Sequence, residues 1–264
     1  MRYLIAPTGV FAALVLYGAM FMMVDSAFAK PVKPTIVLVH GAFAESSAWN
    51  RVIAKLNKDG YRAIAAANPL RSVDGDAAAL SALVRSIHGP VVLVGHSYGG
   101  MVVTDAANGN ANVKALVYVA GFIPDAGEST QALIAKFPGS TLLAALAPVE
   151  LSDGGKDFYI RPEKFHAQFA ADVPAREAAL MAAIQRPATG VTLTQNATAA
   201  SWKSLPTYVI YGVEDRNIPA ALEKFMAERA HARKSIGIIG GSHALMVSHP
   251  REVTALIEQA ATEQ

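Results

Sequence analysis

The 264-residue sequence predicts an α/β protein: a mostly parallel, doubly wound sheet with a helical cap inserted late in the chain. Three observations carry that prediction. Short apolar β-rich runs alternate with longer amphipathic stretches, as in a sheet wound with helices on both faces. The runs lack the polar alternation of a half-exposed strand, which is the pattern of parallel strands covered from both sides. One interval of more than eighty residues, about 122–206, is far longer than a crossover needs.

In chain order, strands are expected at 35–39, 62–66, 91–94, 115–119, 208–211 and 235–239. The stretch 62–66 is the weakest of these. Helical patterns fall between them at about 48–58, 74–86, 99–107, 220–230 and 250–259. Asp74 is the expected N-cap of the second helix, and Gly60 and Gly109 close the first and third. Within the long interval, helical patches at 130–136, 162–171 and 175–185 are separated by Pro- and Gly-containing breaks, so the insertion reads as a helical cap over the C-terminal edge of the sheet. Its apolar side chains (Leu142, Leu143, Leu146, Phe158, Phe165, Phe169, Met181) suit a pocket, although the same spacing describes the inner face of packed helices.

The start of the chain has a different character. Arg2 precedes a charge-free run over 3–24, followed by Ser26-Ala27-Phe28-Ala29-Lys30. This is the layout of a secretory signal peptide cleaved after Ala29. An exported protein, periplasmic or secreted, with one domain over 30–264 is therefore expected. An uncleaved anchor is the alternative, since a span needs ~20 apolar residues. Pro7 and Gly9 interrupt the run and argue for cleavage, leaving no stable membrane insertion. The mean hydropathy of +0.29 owes part of its value to this segment.

Composition removes several function classes. Hydrophobic residues make up 52% and charged residues 17%, which excludes a disordered chain. The 23 Lys and Arg against 21 Asp and Glu are scattered, so no nucleic-acid footprint is present. With no cysteine, disulfides, thiol nucleophiles and Cys-ligated zinc are impossible.

The chemistry is carried by Gly95-His96-Ser97-Tyr98-Gly99, a G-x-S-x-G motif with a strand before it and a helix after it. A strand that turns abruptly into a helix strains its central residue, and flanking side chains would strike the neighbouring backbone. Val39-His40-Gly41-Ala42 ends the first strand, where the N–H of Ala42, with that of Tyr98, is placed to hold an oxyanion. A serine needs a base, and the base needs a carboxylate. Asp215 follows the strand at 208–211 and His243 follows that at 235–239, both on the Ser97 side of the sheet. Glu214 reads as the solvated neighbour of Asp215, and Asp125 is the remaining candidate acid. His249, before Pro250, begins the last helix. His40 and His96 read as structural rings packed around the two turns, and His88, His166 and His231 carry no signal.

Together these motifs resemble the α/β-hydrolase superfamily over essentially the whole chain after Pro34. The stretches VHGAFAESSAW (39–49) and SHALMVSHP (242–250) are similar to the branch containing plant-type methyl esterases, hydroxynitrile lyases and bacterial pyrethroid-hydrolase-like esterases. The resemblance implies the α/β-hydrolase fold, no metal or organic cofactor, and an acyl-enzyme formed by a Ser97, His243, Asp215 triad with Ala42 and Tyr98 as oxyanion donors. The expected partner is a small or medium apolar carboxylic ester. Competing readings are other reactions on the same triad (hydroxynitrile-lyase-like, C–C hydrolase, amidase, thioesterase or perhydrolase) and a non-catalytic small-ligand binder. Ala244 stands where the plant lyases carry a lysine, and Ser97 stands where dehalogenases carry an aspartate. Both departures favour ester hydrolysis.

Overall fold

The computed structural model describes residues 1, 3–4 and 32–263, and the fold is carried by 32–263. The expected signal segment, 1–29, lies outside the described residues but for Met1, Tyr3 and Leu4. Nine strands are found among the described residues: β1 (Thr35–Val39), β2 (Ala63–Ala66), β3 (Val91–Ser97), β4 (Val113–Gly121), β5 (Leu146–Glu150), β6 (Lys156–Ile160), β7 (Ala188–Thr189), β8 (Thr207–Gly212) and β9 (Lys234–Ile238).

Six of them form one sheet in the order β2-β1-β3-β4-β8-β9, with every neighbouring pair parallel. The chain runs outward from β1 to β2, then returns to the other side of β1 to lay down β3 and the rest. Strand order therefore reverses between β1 and β3, and the crevice above their carboxyl ends is where α/β sheets bind ligands. Central position explains composition. All residues of β1 and β3 are buried, and both are dense in Val, Ile and Leu. β9, the outer strand, exposes Lys234, Ser235 and Gly237, so the expectation of two covered faces fails at this edge.

The helix Gly99–Ala107, directly after β3, is buried along its whole length. The helix Val73–Arg85 departs from expectation at its start. Its N-cap is Ser72, whose Oγ accepts from Gly75 N at 3.1 Å, while Asp74 lies in the first turn and its carboxylate accepts from Gln195 Nε2 at 2.6 Å. Ser72 has the extended backbone a cap requires, and a carboxylate one turn in still meets the positive end of the helix dipole. Gly60 and Gly109 adopt positive φ after their helices, as expected.

The insertion between Gly121 and Thr207 is not purely helical. Helices Thr130–Ile134, Pro162–Phe169 and Ala175–Ile184 stand near the expected patches, but β5, β6 and β7 add a three-stranded antiparallel sheet. That sheet is hard to read from sequence because β5 contains Pro148 and β7 has only two residues. The seven apolar side chains also divide. Phe165 and Phe169 are fully buried and stack on each other at 5.0 Å, whereas Leu143 is exposed.

Half-exposed ion pairs tie the insertion to the sheet layer, Arg71 to Asp157 at 2.7 Å and Arg51 to Glu177 at 2.8 Å. Each contributes roughly 0–1 kcal/mol. Asp105 makes a stronger tie. Its buried carboxylate accepts from Thr198 N and Thr198 Oγ1 and from Ala199 N, all at 2.9–3.1 Å, fixing the point where the insertion returns. Among the described residues no helix is long and apolar enough to cross a membrane. Asp105→Ala removes the acceptor of these part-exposed donors and should lower unfolding free energy by about 1–2 kcal/mol in urea denaturation, with Asp105→Asn losing less.

Candidate active site

Ser97 ends β3 at φ 53°, in the left-handed region that a side-chain-bearing residue rarely occupies. The neighbouring backbone crowds the turn. A Cβ on Gly99 would lie 2.5 Å from Val39 O, and one on Gly41 would lie 2.5 Å from Ser97 Cβ and 3.0 Å from Tyr98 N. The backbone after β1 is thus pressed against the serine turn. Ala42, Ser97 and Tyr98 line one cavity, and among the described residues no acceptor takes the N–H of Ala42 or of Tyr98. Tyr98 is anchored by its hydroxyl, which donates to the buried Asp76 carboxylate at 2.9 Å. Burial raises the Asp76 pKa against the lowering pull of its hydrogen bonds.

Asp215 sits in the turn after β8, and His243 in the turn after β9. His243 Nδ1 lies 2.6 Å from Asp215 Oδ2, and both side chains are buried. The other carboxylate oxygen of Asp215 accepts from Asn217 N at 2.7 Å and Ile218 N at 3.0 Å. That arrangement makes Nδ1 the protonated nitrogen and leaves Nε2 as an acceptor. Ser97 Oγ and His243 Nε2 do not hydrogen-bond to each other; catalytic contacts of this kind are often loose before substrate binds. Glu214 is exposed, and Asp125 is engaged by Lys203 at 2.6 Å, so neither replaces Asp215.

His40 and His96 hold the loops together. His96 Nε2 donates to His243 O at 3.1 Å, and its Nδ1 accepts from Gly41 N at 3.4 Å, joining the serine, histidine and post-β1 turns. Its ring centre lies 4.7 Å from that of His243. His40 adopts the opposite tautomer: Nδ1 donates to Gly41 O at 3.0 Å and Nε2 accepts from Asn68 N at 3.2 Å. Burial, then the neighbouring His243 ring, holds His96 well below its ordinary 6.5, and burial lowers His40 too. Both rings stay neutral at pH 7.

Four supports were invisible in the sequence because they depend on where the insertion lies. Phe169 packs edge-on against His243 at 4.9 Å, Ser242 Oγ donates to Asp172, and His249 Nε2 lies 3.2 Å from Asp172 Oδ2. Gln168 Nε2 donates to Arg216 O and to Asn217 Oδ1, at 2.9 and 2.8 Å. The fully buried Glu223 has no hydrogen-bond partner for either oxygen. Desolvation, then the charge of Asp215, pushes its pKa well above the carboxylate range, so it is neutral. Among the described residues no group of three or more His, Asp or Glu is arranged to hold a metal ion.

This geometry has relatives. The sequence pattern of the alpha/beta hydrolase family matches residues 36–256. The chain belongs to that family. A carbendazim-hydrolyzing esterase of Nocardioides sp. (strain SG-4G) is 34% identical over 113 residues, which cover 38% of this chain and 47% of that esterase. The alpha/beta hydrolase nvfD of Aspergillus novofumigatus is 25% identical over 88% of this chain and 98% of its own length. A pyrethroid hydrolase of Sphingobium wenxiniae is 23% identical over 86% of this chain and 87% of its own. Among solved structures, polyneuridine aldehyde esterase superposes with a TM-score of 0.74 at 21% identity, covering 87% of this chain and all of that one. Tomato methylketone synthase I gives 0.75 at 21% identity over 88% of this chain and 99% of that one. At such identity the structural likeness speaks for the fold alone.

In this alpha/beta hydrolase the two neutral rings have a stability consequence. Unfolded, each binds a proton below its ordinary 6.5; folded, each resists it until lower pH. Stability is therefore fully present above that value and falls as pH drops below it. A fully proton-free ring contributes a slope of about 1.4 kcal/mol per pH unit. His96→Gln keeps an N–H donor without a titrating ring, so urea unfolding between about pH 7 and pH 5 should show a flatter decline than wild type by up to that slope.

Proposed function

We propose that this alpha/beta hydrolase is a serine esterase cleaving carboxylic esters of small to medium apolar substrates. The observation that supports it most is the buried Asp215–His243 pair, poised with an open Nε2 at the sheet edge that carries Ser97. His243 Nε2 takes the proton as Ser97 Oγ attacks the ester carbonyl. Asp215 keeps Nδ1 protonated and stabilises the imidazolium. The N–H groups of Ala42 and Tyr98 receive the oxyanion, each worth about 3 kcal/mol in the transition state. The intermediate collapses, the C–O bond breaks, and His243 returns its proton to the leaving alcohol. Water then repeats the cycle on the acyl-serine, releasing the acid and restoring Ser97.

The esterase and hydrolase names of the relatives support the reaction class, and Ala244 supports hydrolysis over cyanohydrin cleavage by a lysine-dependent route. Ser97→Ala should lower kcat/KM on p-nitrophenyl short-chain esters by about a thousandfold or more and abolish labelling by a fluorophosphonate probe. Activity within tenfold of wild type would reject the covalent route.

The same proposal includes export. The small-residue pattern ending at Ala29 supports cleavage there, so the mature protein should begin at Lys30. Edman sequencing of protein recovered from outside the cytoplasm decides this, and an intact Met1 would argue for the anchor.

A further inference from the structure

Phe43 follows Ala42 directly and lines two cavities. The one containing Ser97 measures about 20 Å³, room for one water and not for an ester. The other, which shares Phe43 as a wall, is a groove of about 410 Å³, within the range of small-molecule sites. Its walls come from the two layers of the protein. Ala44 and Ala48 lie on the segment after β1, and Leu180, Met181 and Ile184 lie on the insertion helix Ala175–Ile184. Leu180 is 64% and Ile184 53% exposed, an apolar face left largely uncovered by the described residues.

The charges at the rim are already engaged. Arg51 pairs with Glu177, and the Glu45 carboxylate accepts from Ser47 N. Among the described residues that line it, the groove thus offers no unpaired cation to a carboxylate, and its walls suit a neutral apolar body. Phe43 itself is unusual. It is buried, its φ is 63°, and its N–H is held by Arg186 O at 3.1 Å, just past the same insertion helix. A bulky side chain at positive φ is strained, and such strain persists where the surroundings enforce it.

We propose that the groove is the subsite for the larger, apolar half of the ester, and that Phe43 is the specificity-determining gate between it and Ser97. The proposal rests on the serine esterase reading for its chemistry. A Phe43 ring swung aside joins the two spaces, so that the carbonyl meets Ser97 while the apolar half lies between the Ala44–Ala48 wall and the insertion helix. Either half of the ester could be the larger one, and two isomeric substrates separate the cases. Octyl acetate carries its chain on the alcohol, methyl nonanoate on the acid.

The test compares kcat/KM for these two esters against ethyl acetate in wild type, Leu180→Trp and Ala48→Trp, which fill the groove from opposite walls. The ratio of long to short ester should fall about tenfold or more for at least one isomer, chiefly through KM, and should rise in Phe43→Ala. A ratio within about twofold of wild type in both tryptophan variants overturns the subsite. Binding of octyl acetate to Ser97→Ala, read by saturation-transfer NMR, supplies a readout that needs no turnover. Binding that weakens in Leu180→Trp supports the subsite even if no ester is hydrolysed, an outcome that would sink the esterase reading alone. No binding, or binding indifferent to Leu180→Trp, overturns it.

Discussion

Holding Ser97 at φ 53° costs on the order of 1–3 kcal/mol, and the surrounding structure can be understood as what offsets that cost. The turn is over-determined from three sides. Phe122 N donates to Ser97 O from the end of β4, Gly41 crowds its Cβ from the end of β1, and the buried helix Gly99–Ala107 packs so closely that a Cβ on Gly99 or Gly100 would strike Val39 O or Phe122 O. The parallel sheet is the condition for all of this. Because β1 and β3 are hydrogen-bonded neighbours at the point where strand order reverses, both end at one crevice. A serine there meets N–H groups from two strands without any side chain having to supply a charge.

Neutrality is the second constraint. His40, His96 and Glu223 are buried around the site in uncharged form, while Asp215 presents a partnered carboxylate to His243 at its centre. Asp215 faces His243 Nδ1 at 2.6 Å with both side chains buried, so in the proposed mechanism an imidazolium formed during attack meets the carboxylate at close range. An ionised Glu223 would add a second negative charge behind that carboxylate, which burial without partners forbids. His96 serves as a rigid hydrogen-bond bridge because its ring cannot take a second proton at neutral pH.

The sequence was most legible where local chemistry decides geometry. G-x-S-x-G between a strand and a helix specifies a turn, and strand ends after Tyr211 and Ile239 put Asp215 and His243 on one rim. The helix start at Ser72 was missed because serine and Asp74 are both good caps, and only backbone conformation distinguishes them. The hairpin of β5 and β6 was missed because Pro148 and the brevity of both strands hide their periodicity, and the two residues of β7 were missed because they pair with β6 at long range. The same holds for Phe169, Asp172 and Gln168. Each is an ordinary residue of an insertion, and its relevance arises from a fold-level approach that no spacing in the chain encodes.

That approach bears on how the insertion can vary. Gln168 takes Arg216 O and Asn217 Oδ1 with its amide, and its own Oε1 accepts from Thr141 Oγ1 at 2.8 Å. Thr141 N in turn donates to Arg216 O, and Ser140 Oγ to Asn217 O. The loop bearing Asp215 is therefore laced to one side of the insertion, while Phe169 and Asp172 brace the loop bearing His243. One helix, Pro162–Phe169, and the residues just past it thus govern both partners of the His–Asp pair. The groove wall, by contrast, belongs to the next helix, Ala175–Ile184, whose outer side chains make few structural ties. Substrate preference can drift on that helix without disturbing alignment, whereas changes to the preceding one move the base and its carboxylate together.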